Sequence, residues 1–366
     1  MTIQEYLREF LAQIGPVSDE ERQQISDYYQ ELICEGLERG MSEAEILAAF
    51  GSPAEAAARF REENGPGEAE KGGDAPDAAV AVPAEGGITV LDLQAQAAPI
   101  EVLPAGEGEL RVAFDARPDI DIVESEQQDG VWRFKHRLRK RASRLLAGLF
   151  WPERPPTIQV LVPAGFAGRL ILKTGDAKIR ASGVLDLAEL SLTTSNAVIE
   201  LEDASASAIR LLTGNGGIRL LNLGANDLEA VTGNGRIEAE AVRGGRLHFK
   251  TSNGSIQLSG LEGDSLSAES SNGRIRAGQC SISQKTGITT SNGAIVIEQL
   301  VCPDIVLGTS NGPITGTVRG DMREYATEAG TSNASCNVPN LQGPDRQKHF
   351  SAHTSNARIA VEFVKE

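Results

Sequence analysis

The sequence predicts a mainly β protein: a single-stranded β-solenoid (β-helix) of about ten coils of 19–20 residues, with a small all-α helical bundle at its N-terminus. Three observations predict it. A tripeptide of the form Ser/Gly-Asn-Gly returns at a near-constant interval through the second half of the chain. Apolar residues flank each copy with the two-residue alternation of a strand. The first 63 residues instead carry helix-start signatures and apolar residues at helical spacing.

Composition agrees with this class. Only 4% of the 366 residues are aromatic while 39 are Gly, which suits short strands and many tight turns better than a globule packed with Phe and Trp. The formal charge of −16 makes nucleic acid an unfavourable partner. Cys34, Cys280, Cys302 and Cys336 show neither CxxC spacing nor a paired framework, so reduced thiols in a reducing compartment are expected. The opening MTIQEYLREF lacks the basic and apolar regions of a signal peptide, and no apolar run reaches the ~18–20 residues of a spanning helix. A soluble cytoplasmic protein, peripheral at the inner membrane face, is the expectation.

In chain order, the head comes first, at residues 1–63. Thr2/Glu5, Ser18/Glu21, Ser42/Glu45 and Ser52/Glu55 each have the spacing of a capping box, in which hydroxyl and carboxylate satisfy N–H groups at a helix start. Gly40 and Gly51 stand at C-cap positions and Pro53 suits a first turn. Tyr6, Leu7, Phe10, Leu11 and Ile14, then Ile25, Tyr28, Tyr29, Leu32 and Ile33, recur at helical spacing, so three or four packed helices are expected. Residues 64–87 are rich in Gly, Ala, Pro and Glu without periodicity, as in a flexible linker.

The solenoid is expected over residues 88–366, with regular coils at 168–366. The repeated position is Asp176, Asn196, Asn215, Asn234, Asn253, Asn272, Asn292, Asn311, Asn333 and Asn356, at intervals of 20, 19, 19, 19, 19, 20, 19, 22 and 23. A fixed short period signals stacked coils. Three residues beyond each origin stands an Ile, with Cys336 as the exception, and two further on come Ala181, Leu201, Leu220, Ala239, Leu258, Ala277 and Ile297. Each coil then reads as strand, tight turn, strand and a looser return through a Gly-rich corner such as Gly244-Gly245. One further coil, around Ala97, is expected from Leu91, Leu93, Ile100 and Val102.

Asn-Gly tolerates positive φ, as a sharp corner between strands requires, and stacked Asn side chains can bond from coil to coil. Asn196, Asn215, Asn234, Asn253, Asn272, Asn292 and Asn311 are therefore expected to form a structural ladder. A phosphate cradle would occur once and open a helix, whereas this motif opens a strand every time. Outward residues Arg180, Glu200, Arg219, Glu238, Gln257 and Arg276 form a column suited to an ion-pair ladder. Cys280 and Cys336 fall on inward columns, and the charged VEFVKE end is expected to cap the solenoid.

No catalytic, metal-binding or cofactor-binding residues are expected. Glu200 and Glu202 are separated from Glu238 and Glu240 by the coil of Arg219. Of His136, His248, His349 and His353, only the last two lie four apart, ahead of a strand rather than on a helix.

One segment departs from the pattern. Residues 131–157 form a basic and aromatic insertion, and within 131–154 eight Lys/Arg stand against one Glu, a local charge of +7. Arg137, Arg139, Lys140, Arg141, Arg144, Phe150 and Trp151 are the candidate membrane or partner contacts, since cations meet anionic headgroups while apolar side chains enter the interface. The other reading is a hairpin whose long loop folds onto an end or edge of the solenoid.

The helical head, with VSDEERQQISDYYQEL and AAFGSPAEAAARF, resembles the HAAS-type domain of Gram-positive bacteria, which accompanies PadR-type regulators and membrane proteins. Residues 88–366, with SNG coils and a basic aromatic loop before IQVLVPAG, resemble the putative-adhesin β-solenoid domain of unknown function. The resemblance implies no catalytic residues, and some relatives with this pairing are linked to cell-envelope stress signalling. The expected function is a non-catalytic scaffold: the head docks a protein partner, the solenoid offers a long rigid surface, and the basic segment meets an anionic membrane. The alternative is a carbohydrate-binding or polysaccharide-cleaving β-helix.

Overall fold

The computed structural model describes residues 3–13, 42–57, 80–83, 87–116, 121–138 and 156–365. The described residues fall into two compact units, 3–57 and the stretches 80–137 and 156–365.

In the head, helices span Ile3–Gln13 and Glu43–Phe50, and a further helical stretch runs through 53–57. Two expected capping boxes form. The Ser42 N–H donates to the Glu45 carboxylate at 2.8 Å and the Glu45 N–H to Ser42 Oγ at 3.4 Å; Ser52 and Glu55 repeat this at 3.0 and 3.3 Å. The hydrogen bonds from Ser42 hold the Glu45 carboxyl below its ordinary range. Gly51 lies between the two helical stretches at φ 78°, a left-handed residue at a helix end. Tyr6, Phe10, Ile46, Phe50 and Ala57 make the core of this unit. The boxes at Thr2 and Ser18, the apolar series from Ile25 to Ile33, Cys34 and Gly40 lie outside the described residues.

The second unit is a β-solenoid of about ten turns. Equivalent residues of successive coils pair in parallel, as in the run Ile199, Ile218, Ile237, Ile256 and Ile275. Stacking like on like places branched aliphatics one strand spacing apart, so one small set of residues fills the interior repeatedly.

Each coil has three inward-facing sides rather than two arms and a loose return. Between Asn215 and Asn234 the buried residues are Ile218 and Leu220, then Leu223 and Ala225, then Leu228, Ala230 and Thr232. The supposed return is itself paired strand, continuous over Ile199–Thr213, Ile218–Thr232 and Ile237–Thr251. A left-handed residue hides this side from a two-residue count: Asp203, Asn222, Ala241, Gln279 and Gln299 have φ between 50° and 53°. At that bend the alternation slips by one position, and the next buried residue comes three later instead of two.

Both ends depart from chain order. The coil around Ala97 is present, with Leu91, Leu93, Ile100 and Val102 buried, but it does not begin the stack. Outside it lies a level made from Val131–Leu138 and Ile158–Pro163, paired with Val90–Ala95 and Ile100–Ala105. Arg111–Phe114 then covers the outer edge of Ile158–Pro163 in antiparallel fashion, and Val80–Pro83 covers Arg111–Phe114. At the other end the final turn, Lys348–Thr354 and Ile359–Val364, is inserted between the turn of Asn311 and that of Asn333. VEFVKE is therefore not the cap, because its strand lies inside the stack. The outer strand Tyr325–Thr331 is covered by the next segment: Thr327 and Leu341 exchange backbone bonds of 2.9 and 3.0 Å.

Candidate functional site

The Asn corners form one continuous ladder with a direction. Each Nδ2 donates to the Oδ1 of the neighbouring level: Asn196 to Asp176, Asn215 to Asn196, and on through Asn234, Asn253, Asn272, Asn292 and Asn311, at 2.5–2.7 Å. The ladder continues from Asn356 to Asn311 and ends with Asn333 donating to Asn356, both at 2.7 Å. Asp176 sits at the one terminus where a residue need only accept, which is all that an ionised carboxylate can do.

Two residues before the Asn of each Asn-Gly corner stands a buried hydroxyl that closes the corner. The Thr232 hydroxyl donates to the Gly216 carbonyl of the previous coil at 2.9 Å and accepts the Gly235 N–H at 3.1 Å. Thr213, Thr251, Ser270, Thr290 and Thr309 do the same. The Gly that follows Asn is required for a different reason from the expected one. None of the ladder's Asn-Gly pairs has positive φ; the left-handed residues stand at the opposite bend. A Cβ on Gly216, Gly235, Gly254, Gly273, Gly293 or Gly312 would lie 1.6–1.9 Å from a carbonyl oxygen of the preceding coil. Close approach between coils selects the glycine.

The outward column is the expected ion-pair ladder, with extra members. Arg219 bridges Glu200 and Glu238, at 3.4 Å to each, while Lys178 reaches Glu200 at 2.7 Å and Arg236 reaches Glu238 at 2.9 Å. The hydrogen bond from Lys178 and the nearby cations hold the Glu200 carboxyl below its ordinary range. This face carries a groove of about 370 Å³, lined among others by Arg180, Glu202, Leu221, Glu240 and Ser259. Glu202, Leu221 and Glu240 follow one another in register, with the Leu221 side chain 40% exposed between two carboxylates. Two levels of stacking put those carboxylates roughly 9–10 Å apart.

Of the candidate contacts in the basic segment, the structure describes Arg137, whose guanidinium donates to the exposed Glu124 at 2.5 Å. Arg139, Lys140, Arg141, Arg144, Phe150 and Trp151 lie outside the described residues. The strand leading into the segment alternates as expected, with Trp132, Phe134 and His136 buried. Trp132 Nε1 donates to Ser125 Oγ at 2.9 Å. His136 Nε2 lies 2.9 Å from Asp121 Oδ1 with both side chains sealed from solvent, and Phe114 meets the imidazole edge-on. This pair has no sequence signature: the two residues are 15 apart on different strands.

The other candidates resolve into structural roles. His349 Nδ1 lies 3.0 Å from Asp304, and His353 is 4.0 Å from Glu328. Among the described residues, no group of three or more His, Cys, Asp or Glu is arranged to hold a metal ion. Cys280 and Cys302 are buried and Cys336 is partly so; burial pushes the Cys280 thiol up to about 11, which keeps it protonated and unreactive. No described helix is long and apolar enough to cross a membrane.

Residues 89–297 and 224–341 match the model of the Toastrack DUF4097 family, whose span takes in most of the coils described above. The chain belongs to the Toastrack DUF4097 family. Residues 5–59 match the HAAS family, so the capped helices are a HAAS domain ahead of the Toastrack domain. No curated protein matches the chain. Among solved structures, it is similar to a putative cell adhesion protein from Clostridium sporogenes, at 10% identity and a TM-score of 0.24, over 79% of this chain and 99% of that one. A putative adhesin from Bacteroides fragilis is similar at 8% identity and a TM-score of 0.33, over 79% and 98%.

Proposed function

We propose that this HAAS–Toastrack protein is a non-catalytic scaffold at an anionic membrane surface, serving cell-envelope signalling. The HAAS head docks a protein partner, the solenoid presents a rigid face, and the basic segment supplies the membrane contact. One observation supports this reading above the others: the polar groups that repeat along the solenoid are engaged with each other. Asn bonds to Asn, and Arg219, Lys178 and Arg236 neutralise the carboxylates beside them. Such a surface is fixed in shape rather than poised for proton transfer.

Flotation of the full chain with vesicles containing anionic lipid tests the membrane part. Replacing Arg139, Lys140, Arg141 and Arg144 by Gln should abolish binding, and Arg137 is left in place because it holds Glu124. At ~1 kcal/mol per basic residue near such a surface, four changes should cost on the order of a hundredfold or more in partitioning. Equal flotation by the variant refutes the membrane contact.

The groove at Leu221 favours a second reading, carbohydrate binding, because it sets an exposed apolar patch between two hydrogen-bonding carboxylates. A glycan array followed by a reducing-sugar assay separates the cases. The scaffold reading expects silence in both, binding reversed by Glu202→Gln supports a lectin-like groove, and sugar release means hydrolysis.

A further inference from the structure

The six interior corners of the ladder, Asn215-Gly216, Asn234-Gly235, Asn253-Gly254, Asn272-Gly273, Asn292-Gly293 and Asn311-Gly312, are also the dipeptide most prone to spontaneous deamidation in an open chain. The reaction needs no enzyme. The Gly nitrogen loses its proton and bonds to the Asn Cγ, the Cγ–Nδ2 bond breaks and ammonia leaves. Water then opens the cyclic imide at either carbonyl, giving Asp or isoaspartate. Glycine favours ring closure because no side chain hinders its nitrogen.

All six asparagines are exposed to water, so burial does not protect them. The ladder does, at both reacting groups. Each nucleophilic Gly N–H is donated to the Thr or Ser hydroxyl three residues earlier, at 2.9–3.2 Å. Each Asn side chain is held at two points: Nδ2 donates to one neighbour and Oδ1 accepts from the other. Swinging Cγ onto the Gly nitrogen breaks two ladder bonds and the Thr bond together.

Spatial order sharpens the point. The four outer levels of the ladder are Asp176-Ala177 and Asn196-Ala197 at one end, Asn356-Ala357 and Asn333-Ala334 at the other. Within the ladder the labile dipeptide thus occurs only at interior levels, and Ala follows wherever the ladder approaches an end that can fray. Chain order conceals this, because the turn of Asn356 is inserted before that of Asn333.

We infer that these six corners are latent self-modification sites, held shut by the ladder and converted irreversibly when neighbouring coils part. The product cannot reseat. An Asp faces the Oδ1 of the previous Asn with an acceptor where a donor is required, and isoaspartate adds a backbone atom that breaks the parallel register. One conversion therefore weakens the protection of both adjacent corners.

The test compares the full chain, native and in denaturant, in mildly alkaline buffer, with each corner quantified by peptide mapping. The six sites should convert at least about tenfold more slowly in the native protein, since reaction requires local opening. Conversion at the denatured rate in the native protein overturns the inference. Thr232→Val, which removes the acceptor of the Gly235 N–H, should accelerate Asn234 relative to Asn292 in the same molecule, and equal rates at the two sites in the folded variant overturn it as well. Should that variant not fold, Asn253→Asp supplies a reaction product directly. It should lower the denaturation midpoint, whereas Asp176→Asn, at the accepting terminus, should not; equal effects refute the ladder's direction as the cause.

Discussion

Gly273→Ala is expected to disrupt the middle of the solenoid, while Gly287→Ala in the next coil is expected to be nearly silent. A Cβ at Gly273 would lie 1.6 Å from the Gly254 carbonyl oxygen, 2.4 Å from its carbon and 2.9 Å from the Ser255 nitrogen. All three are main-chain atoms of the preceding coil, already fixed by the ladder, so no side chain can swing aside. Relief requires prying two coils apart, which breaks the Asn272–Asn253 bond and the parallel pairing of Ile275 with Ile256. A cost of about 4 kcal/mol or more is expected, above the usual ~1–3 kcal/mol of an overpacked core, because backbone has to move. A Cβ at Gly287 meets nothing within 4 Å, and the change should stay within ~0.5 kcal/mol.

Gly260→Ala separates this account from one based on backbone conformation. Gly260 lies at the left-handed bend, φ 63°, with only the Ala241 nitrogen near, at 3.9 Å. Its replacement should cost only the ~1–2 kcal/mol of a left-handed non-glycine residue. Ala241 already occupies the same bend one coil earlier. Denaturant midpoints, with hydrogen exchange at Ile256 and Ile275, rank the three variants. A Gly260 variant worse than the Gly273 variant would restore positive φ as the reason for glycine.

The contrast between these glycines shows what the sequence can and cannot reveal. At the six interior corners the close approach between coils leaves no space for a Cβ, so Gly recurs after Asn there and the period is plain. The buried Ile and Thr columns are legible for the same reason: identical surroundings at every level select identical residues. The left-handed bend is satisfied by Asp203, Asn222, Ala241, Gly260, Gln279 and Gln299 in turn. A conformation that many residues can adopt leaves no consistent letter, so the third side of each coil has no signature in the sequence. Of the candidate site, the Arg219 ladder was readable as a column of alternating charge, whereas Lys178 and Arg236 join it from flanking positions that the column does not contain. The order of the end coils was marked only by the last two intervals lengthening to 22 and 23.

That concealed order governs the second large effect. Removing residues 348–366 is expected to release more than the deleted turn. In a solenoid stacked in chain order, losing the last coil costs one interface. Here the deletion empties a level between the Asp304–Gly308 and Tyr325–Thr331 strands, so their separation doubles from ~4.8 Å to roughly 9–10 Å, beyond hydrogen-bond reach. Phe350, Ala352, Ile359 and Val361 leave the core, and Tyr325 loses the ring of Phe363 at 5.1 Å. The polar clamp goes too: Lys365 to Asp321 at 2.9 Å, and the Gly320 N–H to the Val364 carbonyl at 2.9 Å. Residues 325–338 should then lose amide protection although none has been deleted, and the bared Ile305–Leu307 edge should drive association in size-exclusion chromatography. Acid should loosen the same end more gently. The hydrogen bonds from Arg323 and Lys365 hold the Asp321 carboxyl far below its ordinary range, so its contribution is present above the usual Asp pKa of ~4 and fades as pH falls below it. If Tyr325–Thr331 keeps its protection in the truncated chain, the outer turn has stability of its own and the inserted turn is not what secures it.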